Sequence, residues 1–268
     1  MLFLHGSGES GEDISKVKMH GPPKLVDMGK KFPFIIVSPQ SPVGNGWDIE
    51  TLYQLLQHIK TKYRVNEKKV YCTGLSMGGF GTWALAMKYP DEFAAIAPIC
   101  GGGDTSNAWK LRNIPVWCFH GAKDDVVPSV GSENMVKATK RFNNKVRFTL
   151  YPDANHNSWD ITYNNDSLYT WLLAQSKFSY TERAVKASLL KSYEGIFIGP
   201  DKDTVKITAT KDGLLAKPGS ETVPLKAAGD NLFFIQPDKN MDIRFVFDKK
   251  KLTGLLFLGD RKLLYRKL

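Results

Sequence analysis

The chain is 268 residues long, with 42% hydrophobic and 24% charged residues, apolar enough to bury a sizeable core and too apolar for a disordered chain. Its net charge of +10 is concentrated towards the C-terminus: residues 1–176 carry 19 Lys+Arg against 16 Asp+Glu, and residues 177–268 carry 18 against 11. That excess falls at turn-like places with no basic helix or RNA-binding aromatic motif, and the longest uncharged apolar run, 93–100, is well short of the ~18 residues that cross a bilayer; neither nucleic-acid binding nor membrane insertion is expected.

Residues 2–4 read as a strand already under way at the first position. A leader and earlier strands are therefore expected to precede it in a longer chain, which would make the protein periplasmic or secreted; without a leader it would be cytoplasmic. Further short apolar runs follow at 34–37, 70–72, 94–99, 116–119 and 146–151, making six strands. Between them Ile49, Leu52, Leu55, Leu56, Ile59 and Tyr63 recur at helical spacing and predict an amphipathic helix over 48–64. Further helices are read at 79–89, 129–142 and 166–176. Strands alternating with helices imply an α/β fold, a mostly parallel sheet covered on both faces.

After a helical linker near 177–192 the texture changes to short alternating runs separated by turns such as Gly229-Asp230-Asn231 and Gly259-Asp260. Ile243, Phe245 and Phe247 fall on one face of such a run. Seven or eight strands of this kind predict a small antiparallel up-and-down β-barrel, because closure removes exposed edges. The predicted domains are thus 1–180 and 181–268. Asp201-x-Asp203 lacks the next polar ligand and the glycine of a calcium loop. Cys72, Cys100 and Cys118 form no Cys-x-x-Cys pair, so buried free thiols are expected rather than a disulfide scaffold or a zinc site.

Gly74-Leu75-Ser76-Met77-Gly78 fits Gly-x-Ser-x-Gly, and its setting between a strand and a helix is the one a nucleophile elbow requires. A serine hydroxyl is a weak nucleophile at neutral pH, so it needs a base, and the base needs an acid to fix its tautomer. Folds built on this elbow place the partners in the order Ser, acid, His. Of the five histidines only His156, in a loop past the last parallel strand, follows the acid candidates. Those candidates are the adjacent Asp124 and Asp125, just after the strand at 116–119. The backbone N–H of Met77, the residue after the nucleophile, is an oxyanion donor.

Residues 1 to about 176 resemble the α/β-hydrolase superfamily, nearest the esterase and predicted-peptidase group, related to prolyl oligopeptidases, that includes feruloyl-esterase-like enzymes. The resemblance rests on Leu4-His5-Gly6-Ser7-Gly8-Glu9, Ser38-Pro39-Gln40, Gly74-Leu75-Ser76-Met77-Gly78-Gly79, Phe119-His120-Gly121-Ala122-Lys123-Asp124 and His156-Asn157-Ser158-Trp159. The two strands that open the fold have no counterpart, which leaves 34–37 as an open edge. The resemblance implies that Asp124 rather than Asp125 is the acid, that the Ser7 N–H is the second oxyanion donor, and that Trp47 and Trp159 could line an acyl pocket. It also implies a serine hydrolase of carboxylic esters that works through an acyl-enzyme, needs no metal or organic cofactor and takes a small ester, aromatic or carbohydrate-linked. A serine peptidase, or a ligand- or saccharide-binding protein with an inactive hydrolase domain, is the alternative. From about residue 183, near Tyr193-Glu194-Gly195, the chain is similar to the small lipocalin-like domains appended to some serine hydrolases.

Overall fold

The computed structural model describes residues 1–44, 46–211, 213–235 and 241–268. It divides into two compact units, Met1–Phe178 and Ser179–Leu268.

The first unit is built on five parallel strands in the order β1 (Leu2–Leu4), β2 (Tyr71–Leu75), β3 (Ala95–Ile99), β4 (Val116–Gly121) and β5 (Val146–Tyr151). β2 and β3 are buried at every residue, as unbroken apolar runs in a doubly covered parallel sheet should be. Alternate side chains serve two cores. Leu2, Leu4, Cys72, Ile96, Val116 and Cys118 pack on one face and Phe3, Tyr71, Leu75, Ile99 and Phe119 on the other. The first face is covered by the helices α2 (Ile49–Lys62), α3 (Met77–Lys88) and α4 (Val130–Lys140), the second by α1 (Gly21–Asp27), α5 (Trp159–Tyr163) and α6 (Asp166–Ala174). Asp48, expected inside the first long helix, instead caps it by accepting the Thr51 N–H at 2.7 Å.

The sixth expected strand, 34–37, is not one. Only Val37 joins the sheet, through a single bridge to Leu2 in which the Phe3 N–H donates to Val37 O and the Val37 N–H to Met1 O, both at 2.9 Å. Pro33 and Pro39 bracket the run and have no N–H to extend the ladder. The expected helical linker is also shorter than its pattern implied, with helix only over α7 (Ala187–Ser192). Upstream of it the Arg183 N–H is spent on Ala227 O and the Tyr180 hydroxyl on the Asp242 carboxylate, bonds that lay this segment along the second unit as extended chain.

The second unit is a closed barrel of eight strands, β6 (Gly195–Ile198), β7 (Thr204–Ala209), β8 (Leu214–Pro218), β9 (Val223–Gly229), β10 (Leu232–Ile235), β11 (Asp242–Asp248), β12 (Lys251–Leu258) and β13 (Lys262–Lys267). Each pairs antiparallel with the next, and β13 closes on β6. Phe197, Phe233, Phe245 and Leu255 fill the interior, and Tyr193 stacks on Phe245 with ring centroids 4.2 Å apart. Phe247, 39% exposed and next to last in its strand, pairs with Leu252 of the barrel core and has its ring 6.0 Å from that of Tyr193; the register shift beside it leaves Thr253 of β12 as the extra residue. No helix among the described residues is long and apolar enough to cross a membrane.

Candidate active site

Ser76 sits between β2 and α3 with φ 52° and ψ −118°, a left-handed conformation that a non-glycine residue adopts only when its surroundings impose it. What imposes it is the approach of α3 to the sheet. A Cβ at Gly78 would lie 1.9 Å from Leu4 O, and one at Gly74 would lie 2.4 Å from Gly78 O, so neither position admits a side chain. The turn is fastened by the Ser76 N–H, which meets Ile99 O at 3.0 Å and Cys100 Sγ at 3.2 Å.

Two loops at the same end of the sheet meet the serine. The loop after β5 brings His156 Nε2 to 3.0 Å from Ser76 Oγ, and the loop after β4 brings Asp124 Oδ2 to 2.8 Å from His156 Nδ1. Asp125, the neighbour that competed with Asp124 on sequence alone, is exposed, whereas the Asp124 side chain is fully buried. Asp124 Oδ1 accepts the N–H groups of Val126 at 3.0 Å and Val127 at 2.8 Å. Burial pulls the Asp124 carboxyl upward, but the hydrogen bonds from His156, Val127 and Val126 outweigh it and hold the group below its ordinary range. An ionised carboxylate is an acceptor only, so Nδ1 of His156 carries the ring proton and Nε2 is left to accept from the Ser76 hydroxyl.

The loop after β1 lies against this pair, since a Cβ at Gly6 would lie 3.6 Å from Ser76 Cβ. The Gly6 N–H donates to the buried Glu9 carboxylate at 2.8 Å, and the His5 ring donates from Nδ1 to Gly6 O at 2.5 Å while its Nε2 accepts the Ser41 N–H at 3.0 Å. Burial pushes the His5 pKa down, in keeping with this neutral ring. The Gly6 amide is therefore occupied, and the next donor along the loop is the N–H of Ser7, at the start of a short 3-10 turn. Met77 opens α3, where a helix leaves its first N–H groups without intrahelical partners. Trp47 braces the loop, with its indole N–H on His5 O at 3.2 Å and its ring 4.7 Å from the His5 ring. Trp159 stands edge-on to His156 at 5.2 Å and to His20 at 5.4 Å, and its indole nitrogen has no hydrogen-bond partner among the described residues.

Cys100 Sγ, an Asp124 carboxylate oxygen and a His156 ring nitrogen lie within 4.8 Å of one another, a donor set a soft metal ion could use. Burial pushes the Cys100 thiol up to about 12, so it keeps its proton, and Asp124 and His156 are spent on each other. Three contacts of the site have no motif of their own in the sequence: Cys100 on the Ser76 turn, Glu9 on the Gly6 amide, and His120 beside Asp124. The recurrence of His-Gly after Leu4 and at the end of β4 is the available signal for the last two.

Residues 48–194 match the dienelactone hydrolase family, more than half of the chain. The chain belongs to that family. It is 30% identical over 146 residues to a bifunctional acetylxylan esterase/xylanase of Neocallimastix patriciarum, a match covering 52% of this chain and 21% of that protein. It is 35% identical over 92 residues to poly(3-hydroxyalkanoate) depolymerase C of Paucimonas lemoignei, covering 28% of this chain and 22% of that protein. The chain thus spans about a fifth of the length of these curated relatives. The crystal structure of a thermostable esterase superposes with a TM-score of 0.57 at 32% identity, covering 65% of this chain and 54% of the other. The helix-covered parallel sheet is an α/β-hydrolase fold, and a closed antiparallel barrel follows it.

Proposed function

We propose that the protein is a serine hydrolase of carboxylic esters, with Ser76 as nucleophile, His156 as general base and acid, and Asp124 as the acid that orients it. The observation that carries this reading is the unbroken hydrogen-bonded line from Ser76 Oγ through His156 to the buried Asp124 carboxylate. Ser76 Oγ attacks the acyl carbonyl as its proton passes to His156 Nε2; Asp124 steadies the resulting imidazolium; the N–H groups of Ser7 and Met77 receive the negative oxygen. The imidazolium then protonates the departing alcohol, leaving an acyl-enzyme at Ser76. A water molecule, deprotonated by His156, releases the acid and restores the hydroxyl.

The relatives named for acetylxylan and poly(3-hydroxyalkanoate) esters favour an ester over an amide substrate. A small acyl group on a carbohydrate, or an aromatic acyl group against Trp159, fits a site whose aromatic wall touches the base. We assign the chemistry to residues 1–180. Residues 181–268 form the barrel domain and contain no histidine, the commonest general base, and no cysteine. The test is a panel of acetyl, long-acyl and hydroxycinnamoyl esters and peptide amides on wild type and Ser76→Ala. Ester turnover that disappears in Ser76→Ala is the expected result; turnover of amides alone would overturn the ester assignment.

A further inference from the structure

His120, the penultimate residue of β4, is buried with 0% exposure and points to the same sheet face as Cys118, towards α4. A leucine or phenylalanine would pack there without a polar ring to satisfy, so what distinguishes histidine at this point is its hydrogen bonds. Its Nδ1 lies 2.8 Å from Oγ of the fully buried Ser132 in α4, and that hydroxyl, whose one proton can serve either acceptor, lies 2.6 Å from Gly101 O. Its Nε2 is hydrogen-bonded to Val127 O at 2.9 Å, with Asp124 Oδ2 in close contact at 3.1 Å. Both of those oxygens are acceptors only, so Nε2 carries a proton and gives it to Val127 O.

Asp124 Oδ2 is thus hydrogen-bonded to His156 and lies 3.1 Å from the His120 ring, while Oδ1 is held by the N–H groups of Val126 and of Val127, the residue whose carbonyl His120 holds. We propose that His120 is a positioning residue for the acid of the triad, an inference that rests on the roles given above to Ser76, His156 and Asp124. Through Ser132 the ring also ties the acid loop to Gly101, whose backbone runs so close to the first turn of α3 that a Cβ would lie 2.6 Å from Gly79 C and Phe80 N. His120 is thus a strut between the loop that carries the acid and the turn that carries the nucleophile. Without its N–H the Val127 carbonyl loses its donor, the loop whose amides hold Asp124 Oδ1 loosens, and the carboxylate gains freedom to swing away from the base.

The test compares His120→Phe, which keeps a ring and loses the donor, with His120→Gln, whose amide can donate to Val127 O in its place. Three quantities are read: kcat and KM on a small activated ester, the low-field proton resonance of His156 Nδ1–H, and Tm. Supporting groups of this kind are typically worth about tenfold to a hundredfold, well below the ~10⁴-fold cost of losing the acid itself. His120→Phe should therefore lower kcat by about that factor with KM little changed and should shift or broaden the resonance, and His120→Gln should recover most of both at a similar Tm. If His120→Phe lowers Tm but leaves kcat and the resonance as in wild type, or if His120→Gln is as impaired as His120→Phe, the ring only packs and the proposal fails. Should His120→Phe not fold, Ser132→Ala removes the partner of Nδ1, and an unmoved resonance there overturns the proposal equally. A wild type inert towards every ester whose resonance still responds to His120→Phe would sink the esterase reading and leave the positioning role standing; an active wild type indifferent to His120→Phe would do the reverse.

Discussion

Asp124→Asn removes no atoms of consequence, yet the geometry makes it severe. One carboxylate oxygen faces the N–H groups of Val126 and Val127; the other faces His156 Nδ1 and His120 Nε2. An asparagine offers one acceptor and one NH₂, and both sides of this pocket present donors. If the carbonyl stays with Val126 and Val127, the NH₂ meets His156 Nδ1, which must then accept and send the ring proton to Nε2. That proton points at Ser76 Oγ, and the base is gone. If the amide flips, the exposed Val126 N–H and the part-buried Val127 N–H lose their acceptor and meet an NH₂ instead. The first orientation leaves the fold intact and should cost about 10⁴-fold in kcat at neutral pH, or about 5 kcal/mol of barrier. The assay is steady-state hydrolysis of p-nitrophenyl acetate by wild type, Asp124→Asn and Asp125→Asn. Asp125 is exposed, and its asparagine variant should stay close to wild type. Retention of more than about a tenth of kcat in Asp124→Asn would refute the tautomer argument, as would an equal loss in Asp125→Asn.

Glu9→Ala deprives the Gly6 N–H of its acceptor and loosens the oxyanion loop, so kcat should fall by about tenfold or more, while Glu9→Gln, which keeps an acceptor, should fall less; steady-state kinetics on one ester decide this. Because Asp124 is held below the ordinary carboxylate range, the stability it adds is present above that range and is lost as pH falls through its lowered value. The gap in Tm between wild type and Asp124→Asn should therefore close on acidification, and a gap that widens would contradict the assignment. Cys72, Cys100 and Cys118 are buried with thiols pushed up to about 12, so a thiol reagent at mildly alkaline pH should find none in the native protein and all three in denaturant. Phe233→Ala empties a fully buried position in the barrel and should destabilise that unit by about 3–5 kcal/mol in denaturant melts, with small-ester kinetics unchanged; altered kinetics would bring the barrel into the chemistry.

What could be read in the chain depended on how local each constraint is. Gly74 is fixed by the helix that follows it and Gly78 by the neighbouring strand β1, yet the residues that answer both constraints are five adjacent ones, so the turn is written locally. The buried strands β2 and β3 announce themselves as apolar runs for the same reason. Asp124 and Asp125 could not be separated by any local rule, because what distinguishes them is which one turns inward to meet a histidine 32 residues further along. In the sequence His120 is visible only as part of the motif after the run 116–119; the contacts behind its proposed role need Asp124, Val127, Ser132 and Gly101 brought together. Residues 34–37 show the opposite failure. Their composition suits a strand, yet only Val37 forms a bridge to the sheet. Phe247 keeps its alternation with Phe245 and meets the same Tyr193 ring, and its 39% exposure and the extra residue opposite it on β12 are what leave no trace in hydrophobic periodicity.

The central claim is that Ser76 is the attacking atom, activated by His156 and Asp124. It is tested most directly by labelling the protein with a fluorophosphonate and mapping the modified peptide. The account predicts one adduct, on Ser76, that forms at wild-type speed in Asp125→Asn, forms far more slowly in Asp124→Asn, and is absent in Ser76→Ala. An adduct on another residue, or labelling of Ser76→Ala at the wild-type rate, would contradict it.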